Sequence, residues 1–220
     1  MTVSPNFNDR THETPVDMLI IHYTGMKTCE EAKARLCDSD AKVSAHYLIE
    51  QDGTVHRLVD EDKRAWHAGI SWWRGAVDIN KRSIGIELVN PGHEFGYQTF
   101  PKEQMTALIQ LAKAILMRHN IPARNIVGHS DIAPLRKQDP GELFDWHKLA
   151  AAGVGLWVDA SRPVKLDDDQ ARIMFSAFGY SVTDLTATTV AFQRHFRPSC
   201  IDGVMDPQTG GLLKSLIEHL

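Results

Sequence analysis

The apolar positions of the chain form short runs that are apolar throughout and longer runs with helical spacing. Residues 18–23, 83–89 and 126–128 are short runs of almost wholly apolar side chains. Such runs are typical of buried strands. His22 lies near the end of the first run, and His129 follows directly after the third. Both histidines are therefore predicted at the carboxyl ends of strands, where sites on open sheets often lie.

A hairpin and a long helix complete the pattern of the first half. Residues 43–50 and 54–59 flank Gln51-Asp52-Gly53, which predicts a β-hairpin with Gly53 at positive φ. Residues 101–120 have helical spacing, and Pro101 suits a first helical turn. The apolar stripe of this helix consists of Met105, Leu108, Ile109, Ala112, Ile115 and Leu116.

Shorter helical patterns occupy residues 29–37 and 143–149, and the last third of the chain differs in character. Residues 159–167 are polar and predict a linker. Residues 168–220 then predict three short helices, because their apolar positions are interrupted by Gly179, by Pro198 and by Asp206-Pro207. About 50 residues make a small core and a marginal independent unit.

The pattern predicts an α/β fold with a mixed central β-sheet flanked by helices, followed by a small C-terminal three-helix domain. The expected boundaries are residues 1–158 for the α/β domain, 159–167 for the linker and 168–220 for the module. Residues 1–15 are polar and predict an arm on the surface. The module carries no cluster of reactive side chains, so we expect it to bind or brace and to be dispensable for the chemistry.

Composition excludes several classes of partner. The 220 residues carry a net charge of −4, which gives no electrostatic reason to bind nucleic acid or an anionic membrane. Apolar runs are too short for membrane insertion. The first ten residues do not form a secretion signal, which favours a cytoplasmic location, with the periplasm as the alternative if a signal has been removed. Three cysteines do not indicate a disulfide framework.

Residues 128–141 carry two side chains of the metal-ligand type, His129 and Asp139, in a loop stiffened by Pro134 and Pro140. A catalytic zinc needs three protein ligands and leaves a fourth position for water. The third ligand must come from elsewhere in the chain, and His22 offers it. Taken alone, His129 and Asp139 are better interpreted as a hydrogen-bonded pair within a loop, and only the rest of the chain favours the metal site.

Glu87 is the anomaly of the second buried strand, because an unpartnered carboxylate inside such a strand is costly. It is either a satisfied structural acid or a general acid/base that opens into a cleft with a raised pKa. Residues 65–75 form a loop rich in aromatic side chains and glycine. Such a loop suits sugar or peptide binding, or it plugs the edge of the core.

With His22 and the 128–141 loop together, the chain resembles the type-2 zinc N-acetylmuramoyl-L-alanine amidases, which have the peptidoglycan recognition protein fold. The matching stretches follow the family's order and lie within roughly residues 16–157: residues 20–24, 43–49, 65–69, 83–88 and 128–141. Residues 185–196 and 202–209 resemble peptidoglycan-binding three-helix modules, through a shorter and less specific match.

The resemblance implies a role for each candidate side chain. It makes His22, His129 and Asp139 the ligands of a Zn²⁺ cofactor, Glu87 the acid/base group and Lys137 the cation that faces the developing oxyanion. Substrate contacts are expected from side chains of the matching stretches, namely Tyr23, His46, Trp66 and His67. His46, however, belongs to a predicted strand pair, where a histidine more often only hydrogen-bonds.

The implied reaction is hydrolysis of the amide bond between N-acetylmuramic acid, including its 1,6-anhydro form, and L-alanine of the stem peptide. Muropeptides or peptidoglycan would be the substrate, in muropeptide recycling or cell wall turnover. Two alternatives stay open. One is a non-catalytic peptidoglycan recognition protein, and the other is a different metal hydrolase acting on the stem peptide. The sequence leaves the oligomeric state open.

Overall fold

A computed structural model describes residues 3–11, 14–159 and 162–220. Residues 160 and 161 of the predicted linker, and residues 1, 2, 12 and 13 of the predicted arm, lie outside the described residues. The strands are β1 (Phe7–Asp9), β2 (Met18–Tyr23), β3 (Tyr47–Ile49), β4 (Val55–Arg57), β5 (Lys63–Ala65), β6 (Trp72–Trp73), β7 (Ala76–Val77), β8 (Ser83–Leu88) and β9 (Ile126–Gly128). The helices are α1 (Cys29–Leu36), α2 (Gly92–Phe95), α3 (Lys102–Arg118), α4 (His129–Ile132), α5 (Trp146–Ala151), α6 (Asp168–Phe178), α7 (Leu185–Phe196) and α8 (Pro207–Glu218).

The central sheet has the strand order β4-β3-β8-β2-β9, which confirms the predicted mixed α/β fold. Four neighbouring strands, β3, β8, β2 and β9, run parallel, and β4 pairs antiparallel with β3 as the predicted hairpin. In this register His22 lies opposite Glu87, and Ile21 lies opposite Gly128, the residue before His129. The parallel arrangement therefore gathers His22, Glu87 and His129 at one edge of the sheet.

The two faces of the sheet follow the alternation of side chains along each strand. Leu19 and Ile21 of β2 pack toward helix α3, which covers one face with the predicted apolar stripe. Met18 and Ile20 face the other way, and the three C-terminal helices cover them. The core shared with those helices includes Val127, Phe175, Phe178, Tyr180, Phe192, Phe196, Leu212, Leu213 and Leu216.

This shared core changes the interpretation of the C-terminal module. The three helices have the predicted positions, but their apolar sides bury Met18 and Ile20 of the central sheet. Removal of the module would expose that face of the sheet to water, at a cost proportional to the apolar area uncovered. The expectation that residues 168–220 are dispensable does not fit this packing.

The N-terminal arm also differs from expectation, because part of it is buried. Strand β1 pairs antiparallel with β5, and Ser4 and Asn6 are buried beside it. The Ser4 hydroxyl donates to the Leu36 carbonyl oxygen at 2.6 Å, and the Asn6 amide donates to the carbonyl oxygens of Asp38 and Val43. Polar residues can be buried here because backbone carbonyls satisfy them, which a hydropathy pattern does not reveal.

None of the helices in the described part of the chain combines the length and the apolar character needed to cross a membrane.

The shared core predicts that the sheet and the C-terminal helices unfold together. Phe192, which is fully buried in α7, packs against the rings of Phe175, Tyr180 and Phe196. Phe192→Ala should lower the free energy of unfolding by about 3–5 kcal/mol. Denaturant titration followed by circular dichroism and by tryptophan fluorescence should give coincident transitions. Ile173→Ala, at a position 69% exposed in α6, is the control and should change stability by about 0.5 kcal/mol or less. Separate unfolding of the tail would contradict a shared core.

Candidate active site

Three side chains of the metal-ligand type meet at the carboxyl edge of the sheet. The Nδ1 atoms of His22 and His129 lie 3.0 Å apart. Oδ2 of Asp139 lies 2.9 Å from Nδ1 of His22 and 3.2 Å from Nδ1 of His129. All three residues are buried. The structure therefore brings together the three side chains that the sequence indicated as ligands, and their nearest atoms form one small triangle.

The stretch from residue 128 to residue 141, expected to be a loop, begins with the short helix α4. His129 is the first residue of α4, directly after β9. The backbone N–H of Ser130 donates to the carbonyl oxygen of Asp139 at 2.9 Å, which fixes the two ends of the stretch against each other. Gly128 is required here, because a Cβ atom on it would lie 2.7 Å from Cδ of Pro140. This close approach brings Asp139 back beside His129.

A backbone carbonyl decides which nitrogen of His129 carries its proton. Nε2 of His129 lies 3.0 Å from the carbonyl oxygen of Ala68. A carbonyl oxygen only accepts hydrogen bonds, so Nε2 must carry the hydrogen. In the neutral ring, Nδ1 of His129 then presents a bare lone pair toward Asp139 and His22.

A chain of three hydrogen bonds makes the same choice for His22. The Ser83 hydroxyl donates to the carbonyl oxygen of Ile79 at 2.7 Å, so its oxygen accepts from Nε2 of His67 at 3.1 Å. Nδ1 of His67 is then unprotonated, and it accepts from Nε2 of His22 at 3.0 Å. Nδ1 of His22 is left with a lone pair. We call the side chains of His22, His67 and Ser83 the histidine relay.

The tautomers leave three hydrogen-bond acceptors facing one another with no hydrogen between them. Burial lowers the pKa of His22 to about 4, so its ring is neutral at neutral pH. An ionised carboxylate accepts hydrogen bonds through its oxygens and donates none. Three converging acceptors repel one another unless a cation lies among them. Two imidazoles and one carboxylate, with room for a water, fit a divalent metal ion of the zinc type.

The relay depends on two small residues of β8. Ser83 and Gly85 lie on the same face of the strand as Glu87, because side chains alternate along a strand. A Cβ atom on Gly85 would lie 2.5 Å from the ring of His67, so only glycine lets that ring reach His22. Oδ1 of Asn80 accepts from the backbone N–H groups of His67 and Ala68 and holds the loop that carries the ring.

A cleft of about 390 Å³ opens beside the three ligand residues, and Glu87 and Lys137 both line it. Oε2 of Glu87 is buried and has no hydrogen-bond partner among the described residues. Burial, together with the nearby Asp139 carboxylate, raises the pKa of Glu87 well above its usual range, and Lys137 opposes the rise. Glu87 therefore faces the cleft with an unpartnered oxygen, which does not fit a satisfied structural acid.

The four expected substrate contacts divide into two pairs. Tyr23 and Trp66 line the cleft and are partly exposed. His67 borders the cleft, but both of its ring nitrogens are used within the relay. His46 is fully buried beneath the loop, where its Nδ1 accepts from the backbone N–H of Gly85. The expectation that His46 contacts substrate is wrong for this structure, because the side chain does not reach the cleft.

Sequence analysis missed two residues that shape the site. Ser83 begins one of the matching stretches, but the resemblance assigns it no role, and only the contact with His67 reveals one. Arg136 lines the cleft and donates to the carbonyl oxygens of Ala68 and Ile70, which fixes the loop above His129. The described lining residues of the cleft all precede Pro140, so the C-terminal helices do not form its wall.

The chain is similar in sequence to a known protein family and to several of its members. The family model described as N-acetylmuramoyl-L-alanine amidase matches residues 12–142. The chain is 38% identical to the N-acetylmuramoyl-L-alanine amidase AmiD of Escherichia coli, over 92% of this chain and 83% of that protein. It is 33% identical to the 1,6-anhydro-N-acetylmuramyl-L-alanine amidase AmpD of Haemophilus influenzae, over 68% of this chain and 89% of that protein.

Solved structures are similar over nearly the whole chain. The E. coli AmiD complex with anhydro-N-acetylmuramic acid-L-Ala-D-gamma-Glu-L-Lys is 37% identical in sequence and has a TM-score of 0.86. The alignment covers 96% of this chain and 93% of the AmiD chain. A complex of AMPDH3 from Pseudomonas aeruginosa with anhydromuramic pentapeptide has a TM-score of 0.80 at 32% identity. It covers 100% of this chain and 98% of that one.

The relay predicts that Ser83 controls metal affinity without touching a ligand. Ser83→Ala removes the acceptor that fixes the tautomer of His67, and through it that of His22. We expect a loss of zinc affinity of about tenfold or more, measured by competition with a chromophoric chelator. Ser4→Ala is the matched control, since that buried hydroxyl also donates to a backbone carbonyl oxygen but lies outside the relay. Equal affinity of Ser83→Ala and Ser4→Ala would argue against the relay.

Proposed function

The chain belongs to the family of N-acetylmuramoyl-L-alanine amidases, and from that membership we propose that it uses zinc to hydrolyse the amide between N-acetylmuramic acid and L-alanine. The sugar in the proposed substrate includes the 1,6-anhydro form. Support for this choice comes from the two similar structures, whose bound ligands are anhydromuramyl peptides. We propose small muropeptides as the substrate class and muropeptide recycling or wall turnover as the role.

The observation that carries the proposal is the triangle of three acceptor atoms. Nδ1 of His22, Nδ1 of His129 and Oδ2 of Asp139 lie within 3.2 Å of one another, and hydrogen bonds elsewhere place the proton of each neutral ring on Nε2. Such an arrangement is costly without a cation and favourable with one. We propose these three residues as the zinc ligands.

The remaining chemistry is assigned to side chains that line the cleft. A zinc ion held by His22, His129 and Asp139 would act as a Lewis acid and would lower the pKa of a water molecule to about 7. Glu87 would accept a proton from the attacking water and pass it to the leaving nitrogen of L-alanine. The free, buried Oε2 atom of Glu87 supports this role. Lys137 would stabilise the negative charge that develops on the carbonyl oxygen.

A non-catalytic recognition protein is the weaker alternative. Recognition of a muropeptide needs a cleft, but it does not need three converging metal ligands. It also gives no reason to keep an unpartnered carboxylate atom buried, which is costly. The presence of the three ligand residues, Glu87 and Lys137 around one cleft favours catalysis. The cytoplasmic location stays a prediction.

Metal analysis and product analysis test the proposal together. We expect about one zinc per chain, and we expect mass spectrometry of a digested anhydromuramyl tripeptide to show the free sugar acid and the intact tripeptide. A chelator should abolish the reaction, and added zinc should restore it. Full activity of the metal-free protein, or cleavage within the peptide, would contradict the proposal.

Substitution of the two cleft residues should separate catalysis from metal binding. Glu87→Gln should keep zinc and the fold but lose most turnover, because it prevents proton transfer without changing the ligands. Lys137→Ala should lower kcat by about 10²–10³-fold through loss of charge stabilisation. Glu103→Gln and Lys102→Ala, both at exposed positions of α3, are the matched controls. Near-normal rates for Glu87→Gln and Lys137→Ala would remove the support for their roles.

A further inference from the structure

Two side chains of the C-terminal module, Tyr180 after α6 and His195 in α7, hold a buried carboxylate within the 128–141 stretch. Oδ1 of Asp131 accepts a hydrogen bond of 2.6 Å from the Tyr180 hydroxyl. Oδ2 of Asp131 lies 2.8 Å from Nδ1 of His195 in α7. All three side chains are buried, with exposed fractions of 1%, 2% and 3% for Asp131, Tyr180 and His195.

Asp131 in turn sets the geometry of α4. Its Oδ2 atom also accepts the backbone N–H of Gly128 at 2.7 Å, which caps the helix at the residue before His129. Two residues further on, the backbone N–H of Ser130 donates to the carbonyl oxygen of Asp139. Asp131 therefore helps to position both proposed ligands of this stretch, His129 and Asp139.

The side chains of Tyr180 and His195 are themselves held in place by aromatic rings. The His195 ring lies between Trp146 and Phe196, with ring centroids 3.8 and 3.9 Å away and nearly parallel planes. Nε2 of His195 is buried and has no partner among the described residues, which favours a proton on Nδ1 and donation to Asp131. Rings of Trp73 and Phe175 pack edge-on against Tyr180. Neither donor can leave Asp131 without disturbing the shared core.

These contacts distinguish positioning from simple packing. A packing role needs only the apolar faces of α6, α7 and α8. The tail also supplies two of the three hydrogen bonds recorded for the Asp131 carboxylate. A buried carboxylate that loses such partners carries a large desolvation cost, which the surrounding backbone can relieve only by moving.

We propose that the C-terminal module is a positioning element of the metal site, in which Tyr180 and His195 fix α4 through Asp131. The inference rests on the proposed function, because it requires His129 and Asp139 to bind zinc. The module then supports the ligand residues from outside the cleft, since its described residues do not line the cleft. Loss of either donor should lower zinc affinity and kcat and leave KM unchanged.

The test compares the Tyr180→Phe variant with the unaltered protein, both at full length. This substitution removes one hydroxyl and keeps the ring. Zinc affinity is measured by chelator competition, and kcat and KM are measured on a soluble anhydromuramyl tripeptide. We expect Tyr180→Phe to weaken zinc binding by about tenfold. In an Asp131→Asn background the same substitution should have no further effect, because its route to the metal is already broken. His195→Asn, which keeps a donor near Nδ1, should lose less affinity than His195→Leu.

Leu216→Ala is the matched control, since it removes a fully buried side chain of α8 that cannot hydrogen-bond to the carboxylate. Zinc affinity of Leu216→Ala should equal that of the unaltered protein. Wild-type affinity in Tyr180→Phe, an equal loss in Leu216→Ala, or additive losses with Asp131→Asn would each overturn the inference. An unaltered protein that binds no zinc would overturn the proposed function first, and that result appears before any substitution is made.

Discussion

The hydrogen bond from the Ser83 hydroxyl to the carbonyl oxygen of Ile79 is the constraint from which the geometry of the site follows. It fixes the proton of His67, and His67 fixes that of His22. A second carbonyl, that of Ala68, does the same for His129. Both histidines then face Asp139 with lone pairs, and this buried group of acceptors favours a cation. Metal ligands are commonly oriented by such outer partners.

The fold provides the room and the support for this arrangement. Parallel pairing aligns the ends of β2, β8 and β9, while the absence of a side chain at Gly85 admits the His67 ring. On the same face of the sheet, the C-terminal helices complete the core and reach Asp131. The predicted α/β domain and the predicted C-terminal module therefore share one core, which packs against residues 128–141.

Much of this could be predicted from sequence, because some features leave a local signal. Buried strands appear as apolar runs, and polar residues at their ends, such as His22, stand out against that background. Glu87 was conspicuous for the same reason. The burial of Ser4 and Asn6, the role of Ser83 and the contact of His195 with Asp131 left no such signal. Each depends on a hydrogen-bond partner in another segment, 32 residues away for Ser4 and Asn6, 16 for Ser83 and 64 for His195, which the periodicity of a single segment cannot reveal.

The choice of ring nitrogen is the part of the account that sequence cannot supply and that diffraction can test directly. Crystals of the zinc-loaded protein, measured at the zinc absorption edge, should show one strong anomalous peak per chain. The account predicts that this peak contacts Nδ1 of His22, Nδ1 of His129 and a carboxylate oxygen of Asp139. A peak in contact with Nε2 of either histidine, or zinc bound at a different place, would contradict it.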